Sequence, residues 1–299
     1  MNAFLRTFRE SSRADDMVSK SRRIDGQNIL YHYFQKSILR EGDQFSKELL
    51  ERLIIDLSIW LPIIFYRRLP IILPYVVRDP SCRVKRDTGE DEWGSANSNG
   101  FLRDDNSLIK GIVRSFEVKS PKIPAYDGLR LGTGFVASHI WGTVAIEKKP
   151  MISSRHHMLN SFTPNLVWLP VQISKLTDRE GSLAQRMLQA VSHKIYEEIN
   201  MPDDISRLWE NLPYPEELQS LSVDLKRINY FAVPSEWLTR RIKGLSSEID
   251  VILSADIIGD VKSNKIKSRR YLPTLKQIPI EPRKELNDWL AKYKTLISP

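Results

Sequence analysis

A histidine and an asparagine stand 26 positions apart in the middle of this chain, each at one end of a short apolar run. His139 closes Gly134-Phe-Val-Ala-Ser-His. Asn165 opens Asn165-Leu-Val-Trp-Leu-Pro170, and Val171-Gln-Ile-Ser-Lys-Leu-Thr-Asp178 then reads as a helix. Histidine, with an ordinary pKa of about 6.5, can take a proton from water near neutrality and act as a general base. For that it must point in one direction, which a carbonyl or amide partner on its second ring nitrogen achieves. Taken singly, each residue has a structural reading: His139 as a core histidine at a strand end, Asn165 as a turn residue after Pro164. Their order, spacing and flanking apolar runs together favour chemistry.

The succession of strand, histidine, polar loop, asparagine, strand and helix resembles the HNH (His-Me finger, ββα-metal) endonucleases. Residues 134–178 carry the resemblance. It is nearest to members with a His-Ile-Trp core and an Asn-Leu-Val-x-Leu-Pro run closing in Leu-Thr-Asp. The resemblance implies a restriction-type endonuclease that hydrolyses phosphodiester bonds of double-stranded DNA. His139 would be the base that activates water, Asn165 would fix the loop, and the helix that follows would supply a ligand to one divalent metal, Mg²⁺ or else Mn²⁺. Phosphodiester hydrolysis asks for that set: an activated water, a cation for the developing charge, and rigid placement of both. Two copies would be needed to cut both strands, so a homodimer is expected.

Two positions depart from the family pattern. The residue before the base histidine, often a metal ligand, is Ser138, and the histidine or asparagine expected on the helix falls on Ser174. Serine is a poor ligand for a divalent metal beside carboxylate or imidazole. Asp178, one helical turn beyond Ser174, can substitute, because i and i+4 share a helix face. His156, His157 and Asn160 in the intervening loop are further candidates, although the histidine pair reads rather as solvated loop. A catalytically inactive DNA-binding protein that keeps the scaffold is the alternative these serines support.

A second nuclease pattern competes. PD-(D/E)xK enzymes place one acid, then acid-x-Lys on the next strand, so that two carboxylates hold the metal while the lysine orients water. Asp250, Asp256, Asp260 and Lys262 offer that order, and so do Asp105, Glu117 and Lys119. In a chain with 27% charged residues such short patterns arise often, and a charged surface hairpin accounts for them as well. Lys262, Lys265, Lys267, Arg269 and Arg270, with Tyr271 adjacent, form the densest basic run and are candidate DNA contacts. His193 reads as a packed or solvated helix residue. No Gly-rich phosphate loop, Gly-x-Ser-x-Gly elbow or dinucleotide fingerprint occurs.

The elements that must hold these residues belong to a chain of 299 residues, 41% hydrophobic, long enough to bury a core without staples. Lys and Arg number 45 against 37 acids, giving +8 and a pI near 9.4, which favours a polyanionic partner through counterion release. The single cysteine, Cys82, rules out an internal disulfide framework and a Cys-rich structural zinc ribbon, and fits a reducing cytoplasm. The first ten residues lack the apolar core of a signal peptide. The apolar stretch Leu53–Val77 is broken by Asp56, Arg67, Arg68 and prolines 62, 70 and 74, so it reads as buried core rather than a membrane span.

The fold expected is α+β. Residues 1–80 read as a helical module, with helical spacing from Gln27 and again from Asp43, Pro62 ending or kinking the second helix. Residues 81–107 read as a polar linker, and 108–200 as the ββα-metal core, with β-like runs at 108–113 and 129–136. Ser182 is a plausible N-cap for a helix to Tyr196. Residues 201–299 read as a mixed C-terminal region that contacts DNA, with β-like runs at 230–233 and 249–253 and a final helix over 282–296.

Overall fold

The computed structural model describes residues 44–78, 102–104, 106–216, 219, 221, 223–254 and 280–298. The chain divides into two compact units, residues 1–53 and 54–299. Of the first, only the start of helix α1 (Gln44–Leu57) is described. The helix expected from Gln27 lies outside the described residues.

The second unit is α+β and is built on a mixed sheet of five strands. β1 (Ile59–Trp60) follows α1, β2 (Val76–Arg78) and β3 (Leu102–Asp104) pair separately in parallel outside that sheet, and β4 (Glu117–Lys119) lies at one sheet edge. β5 (Phe135–His139) forms the other edge. Then come a separate hairpin, β6 (Thr143–Ile146) with β7 (Lys149–Ile152), and the inner strands β8 (Leu166–Pro170) and β9 (Asn229–Ala232). The order across the sheet is β4-β9-β1-β8-β5. β1 and β9 run parallel, and the other pairs are antiparallel.

β1 corrects the expectation of an all-helical module over residues 1–80. Ser58 ends α1: its hydroxyl donates to the Ile55 carbonyl at 2.8 Å and accepts the Trp60 indole N–H at 2.8 Å. Ile59 and Trp60, both fully buried, can then enter the centre of the sheet. Pro62 ends nothing; in extended backbone it leads into α2 (Ile63–Arg68), a position that tolerates its missing N–H. Residues 108–113, which read as a strand, form α3 (Asn106–Ile112) and a 3₁₀ turn, with Ile109 and Val113 buried four positions apart on one face. Residues 129–131 form only an isolated bridge, Glu117 to Arg130, beside the left-handed turn at Gly128 (φ 74°).

β8 is buried on both faces from Leu166 to Leu169, as suits an inner strand. The helix α4 (Val171–Thr177) follows it directly, and α5 (Leu183–Tyr196) starts at Ser182, whose hydroxyl accepts the Gln185 N–H at 3.2 Å, the expected N-cap. Tyr196 of α5 donates its hydroxyl to the Leu61 carbonyl at 2.5 Å and packs edge-on against Tyr66. Around β9, Phe231 meets Trp168 and Phe116, and Phe116 meets Trp237, edge to face.

A short helix α6 (Asp203–Ser206) precedes β9, and the long helices α7 (Ser235–Ser254) and α8 (Ile280–Ile297) close the unit. Residues 249–253 are therefore helical, not strand. Leu238, Ile242, Leu245, Ile249 and Ile252 are buried at a spacing of three or four, a period that a short window from Ile249 misses. On α8, Leu286, Trp289, Leu290 and Tyr293 form the buried side, as the sequence spacing predicts. The Tyr293 hydroxyl accepts the Ile71 N–H at 2.9 Å and donates to the Ile71 carbonyl at 2.5 Å. No helix among the described residues is long and apolar enough to cross a membrane.

Candidate functional site

His139 ends β5 beside Leu166 at the start of β8, and the antiparallel register runs without a slip from there to Phe135 opposite Pro170. The strand–strand–helix succession anticipated for residues 134–178 is thus formed by β5, β8 and α4, inside the larger sheet. A connection of 26 residues leaves β5 and returns to β8, carrying the β6–β7 hairpin and two 3₁₀ turns, Ser153–Arg155 and Thr163–Asn165.

Asn165 holds this connection together. It is fully buried, and its side-chain oxygen accepts the N–H groups of Ile140 at 3.1 Å and Trp141 at 2.9 Å. Its amide nitrogen donates to the Ser153 hydroxyl at 3.2 Å and the Leu159 carbonyl at 3.0 Å. One side chain therefore ties the two residues after His139 to two separate points of the loop, and both its donors and its acceptor are used.

The imidazole of His139 is oriented by that loop. Its Nε2 lies 2.7 Å from the Asn160 carbonyl oxygen, which can only accept, so Nε2 carries a proton and the ring is held in one direction. Asn160 is fully buried; its own N–H donates to the His156 carbonyl at 2.8 Å, and its amide to the Val76 carbonyl at 3.1 Å. Asn160 thus serves His139 through its backbone, and its side-chain nitrogen is given to β2.

His139 lines a cleft of about 340 Å³ together with Ser138, Gly142, Ser153, Ser174, Lys175, Asp178, Glu180 and Gln185. Of the expected metal positions, the structure brings Ser138, Ser174 and Asp178 to this one cleft. Ser174 is buried and donates its hydroxyl to the Val171 carbonyl at 2.9 Å, a local bond within α4. Asp178 is exposed and lies 3.1 Å from Lys175 Nζ. Glu180 is the residue that the motif spacing does not reach. Its carboxylate receives the Thr143 N–H at 3.1 Å and lies so close over Gly142 that a Cβ there would sit 2.0 Å from Oε2. Partial burial raises its pKa above the ordinary carboxylate value, against the lowering effect of the Thr143 N–H and the Gln185 side chain. Its one sequence signal is an acid two positions past Asp178 and next to the left-handed Gly181 (φ 72°).

The remaining candidates lie elsewhere. His156 and His157 are not solvated: they stack at 5.0 Å, and His157 packs against Trp289 of α8. Burial pushes the His156 pKa down to about 4 and holds His157 well below its usual value. His193 is packed among Trp141, Trp209 and Tyr214, with Nδ1 2.9 Å from Glu197. Asp250 sits on helix α7 and pairs with Lys294, so it lacks the strand setting the rival nuclease pattern needs. Glu117 and Lys119 do lie on a strand, β4, but at the sheet edge opposite β5. Asp105, Asp256, Asp260 and the basic run Lys262, Lys265, Lys267, Arg269 and Arg270 lie outside the described residues.

Comparison with protein-family models, curated proteins and solved structures gives no match for this chain.

Proposed function

We propose that the chain is a metal-dependent endonuclease of the HNH type that hydrolyses phosphodiester bonds in double-stranded DNA, restriction-type in its use and acting in the cytoplasm. The observation that carries this reading is the bond from His139 Nε2 to the Asn160 carbonyl, in a loop pinned by Asn165, at the wall of an open cleft. A histidine held through Nε2 by a carbonyl has its ring fixed in one direction, the orientation a general base for water requires. Asn165 acts by positioning and does not face the cleft.

The donors of the cleft suit a hard cation better than a soft one, since Asp178 and Glu180 offer carboxylate oxygens and no thiolate is present. Among the described residues no three His, Cys, Asp or Glu side chains converge closely enough to hold a metal by themselves. Mg²⁺ tolerates this, because it commonly takes one or two carboxylates and fills its shell with waters and substrate phosphate. Glu180 and Asp178 are therefore the proposed ligands, ahead of Ser138 and Ser174. Such an ion, when bound, supplies charge stabilisation for the phosphate. Two copies acting on opposite strands account for a double-strand cut.

The second reading is a DNA-binding protein without catalysis. It is favoured by Ser138 and Ser174 standing where the family pattern has ligands, with the Ser174 hydroxyl already given to Val171. Incubation of plasmid DNA with Mg²⁺ or Mn²⁺ separates the two, wild type beside His139→Ala. Cleavage lost in the variant supports the nuclease; salt-sensitive binding with no cleavage by the wild type supports the second reading. Neither binding nor cleavage overturns both.

A further inference from the structure

Inserted between His139 and Asn165 is a hairpin that the base-and-loop chemistry does not use. β6 and β7 pair from Thr143 opposite Ile152 to Ile146 opposite Lys149. Of its ten residues Thr143, Ala145, Glu147, Lys148, Lys149, Pro150 and Ile152 are exposed, and Val144 is the buried anchor. Its turn is formed by Glu147 (φ 48°) and Lys148 (φ 65°), the only described non-glycine residues with positive φ. Two consecutive left-handed residues make the tight turn that right-twisted strands prefer, but that turn normally takes asparagine and glycine. Here it keeps a charged pair at the tip and puts two lysines in succession in solvent.

The base of the hairpin belongs to the cleft: Gly142 precedes β6, Ser153 follows β7, and both line it with His139 and Ile152. Four residues of strand at about 3.3 Å each carry the tip roughly 13 Å from that base. A two-stranded ribbon fits the major groove of a duplex, which is about 12 Å wide. Lys175 of α4 lines the wall of the same cleft, where it pairs with Asp178, so the cleft and the hairpin tip both carry lysine.

We propose that the β6–β7 hairpin is a duplex-contacting ribbon, with Lys148 and Lys149 gripping phosphates that flank the bond held at His139. The proposal rests on the reading of the cleft as a site for DNA phosphodiesters. At about 3.4 Å of helix rise per base step, the tip lies within roughly four steps of that bond. These contacts position the substrate and are not sequence readout, since phosphates carry no base information.

The test is the salt dependence of binding to a fluorescent DNA duplex, in buffer with Ca²⁺ in place of Mg²⁺ to suppress cleavage, for the full chain. Lys148→Ala with Lys149→Ala is expected to weaken binding and to lower the slope of log affinity against log salt by about 1.8, at roughly 0.9 per lost phosphate contact. Lys292→Ala, an exposed lysine on α8, should leave the slope unchanged. Lys148→Gly retains the left-handed turn, removes one cation and no anion, and should lower the slope by about 0.9, which keeps the test sound if the double-alanine variant folds poorly. Wild-type binding with an equal slope in the hairpin variants overturns the ribbon alone. Absence of duplex binding by the wild type overturns the reading of the cleft and the ribbon with it.

Discussion

The His139 imidazole donates its Nε2 proton to the Asn160 backbone carbonyl at 2.7 Å, so the orientation of the histidine is set by a loop residue 21 positions further on. That loop is closed in turn by Asn165. Orientation and fold thus separate into two side chains, and substitutions should separate them too. His139→Ala leaves the Asn165 bonds intact and is expected to reduce DNA cleavage by 10²–10⁴, the usual worth of a general base, with a stability change below about 1 kcal/mol. Cleavage rates and urea unfolding measured on the same preparation check this; a variant that keeps its cleavage removes His139 from the base role.

Asn165→Ala does the opposite first. It deletes four hydrogen bonds and leaves the Trp141 N–H buried, while Ile140 N–H keeps the Asn165 carbonyl at 3.0 Å. A loss of roughly 3 kcal/mol is expected. The melting temperature should fall by roughly 6–12 °C. Calorimetry reads it directly, and an unchanged melting temperature would show that the amide is not what holds the loop.

How much of this arrangement could be read from residue types follows from the range of the forces involved. The β5, β8 and α4 succession, Ser182 as a cap and the buried side of α8 depend on neighbours within a few positions, and spacing alone reveals them. Ile59–Trp60 reads as part of a helical stretch because only its partners, 109 and 170 positions downstream at Trp168 and Asn229, make it a strand. The stretch at Ile249 misleads for a related reason: β-branched residues favour strands locally, and burial along one helix face overrides that preference. Glu180 is invisible to a motif because its place in the cleft comes from the backbone of Gly142 and Thr143 across the hairpin root.

His156 and His157 make stability depend on pH above the carboxylate range. Burial lowers the folded-state pKa of His156 to about 4, while the unfolded chain titrates near 6.5. As pH falls below about 6.5 the unfolded state takes protons that the folded state refuses, so stability drops until the folded pKa is reached. For His156 alone the loss amounts to roughly 3 kcal/mol by pH 4, and His157 adds in the same direction. His156→Phe keeps a ring on the stack and removes the charge, so its unfolding free energy should fall less steeply between pH 7 and 5. Equal slopes in denaturant titrations of the two proteins would refute the assignment.

The turn of the β6–β7 hairpin is strained where Glu147 and Lys148 hold positive φ. A left-handed residue other than glycine costs about 1–2 kcal/mol, and asparagine and glycine relieve most of it. Glu147→Asn with Lys148→Gly should therefore stabilise the protein by about 1 kcal/mol, seen as a higher urea midpoint at unchanged m. A lower midpoint would mean that the charged side chains make contacts worth more than the strain.

Gly142 and Glu180 give the sharpest test of the cleft's carboxylate. A methyl group at residue 142 would sit 2.0 Å from Glu180 Oε2, and the atom it meets is the end of a flexible, partly buried side chain rather than backbone. Gly142→Ala should thus cost little stability, under about 1 kcal/mol, because the carboxylate swings away and gives up its bond from Thr143. If Glu180 holds the divalent ion, that swing should weaken Mn²⁺ binding, followed by electron paramagnetic resonance, about as much as Glu180→Gln does. Asp178→Asn provides the comparison for the second carboxylate. Since burial raises the Glu180 pKa, the wild-type site should also release Mn²⁺ at a higher pH than an ordinary carboxylate would, and Glu180→Gln should abolish that part of the profile. Full-strength Mn²⁺ binding in both Gly142→Ala and Glu180→Gln would take Glu180 out of the site and leave the ion to Asp178.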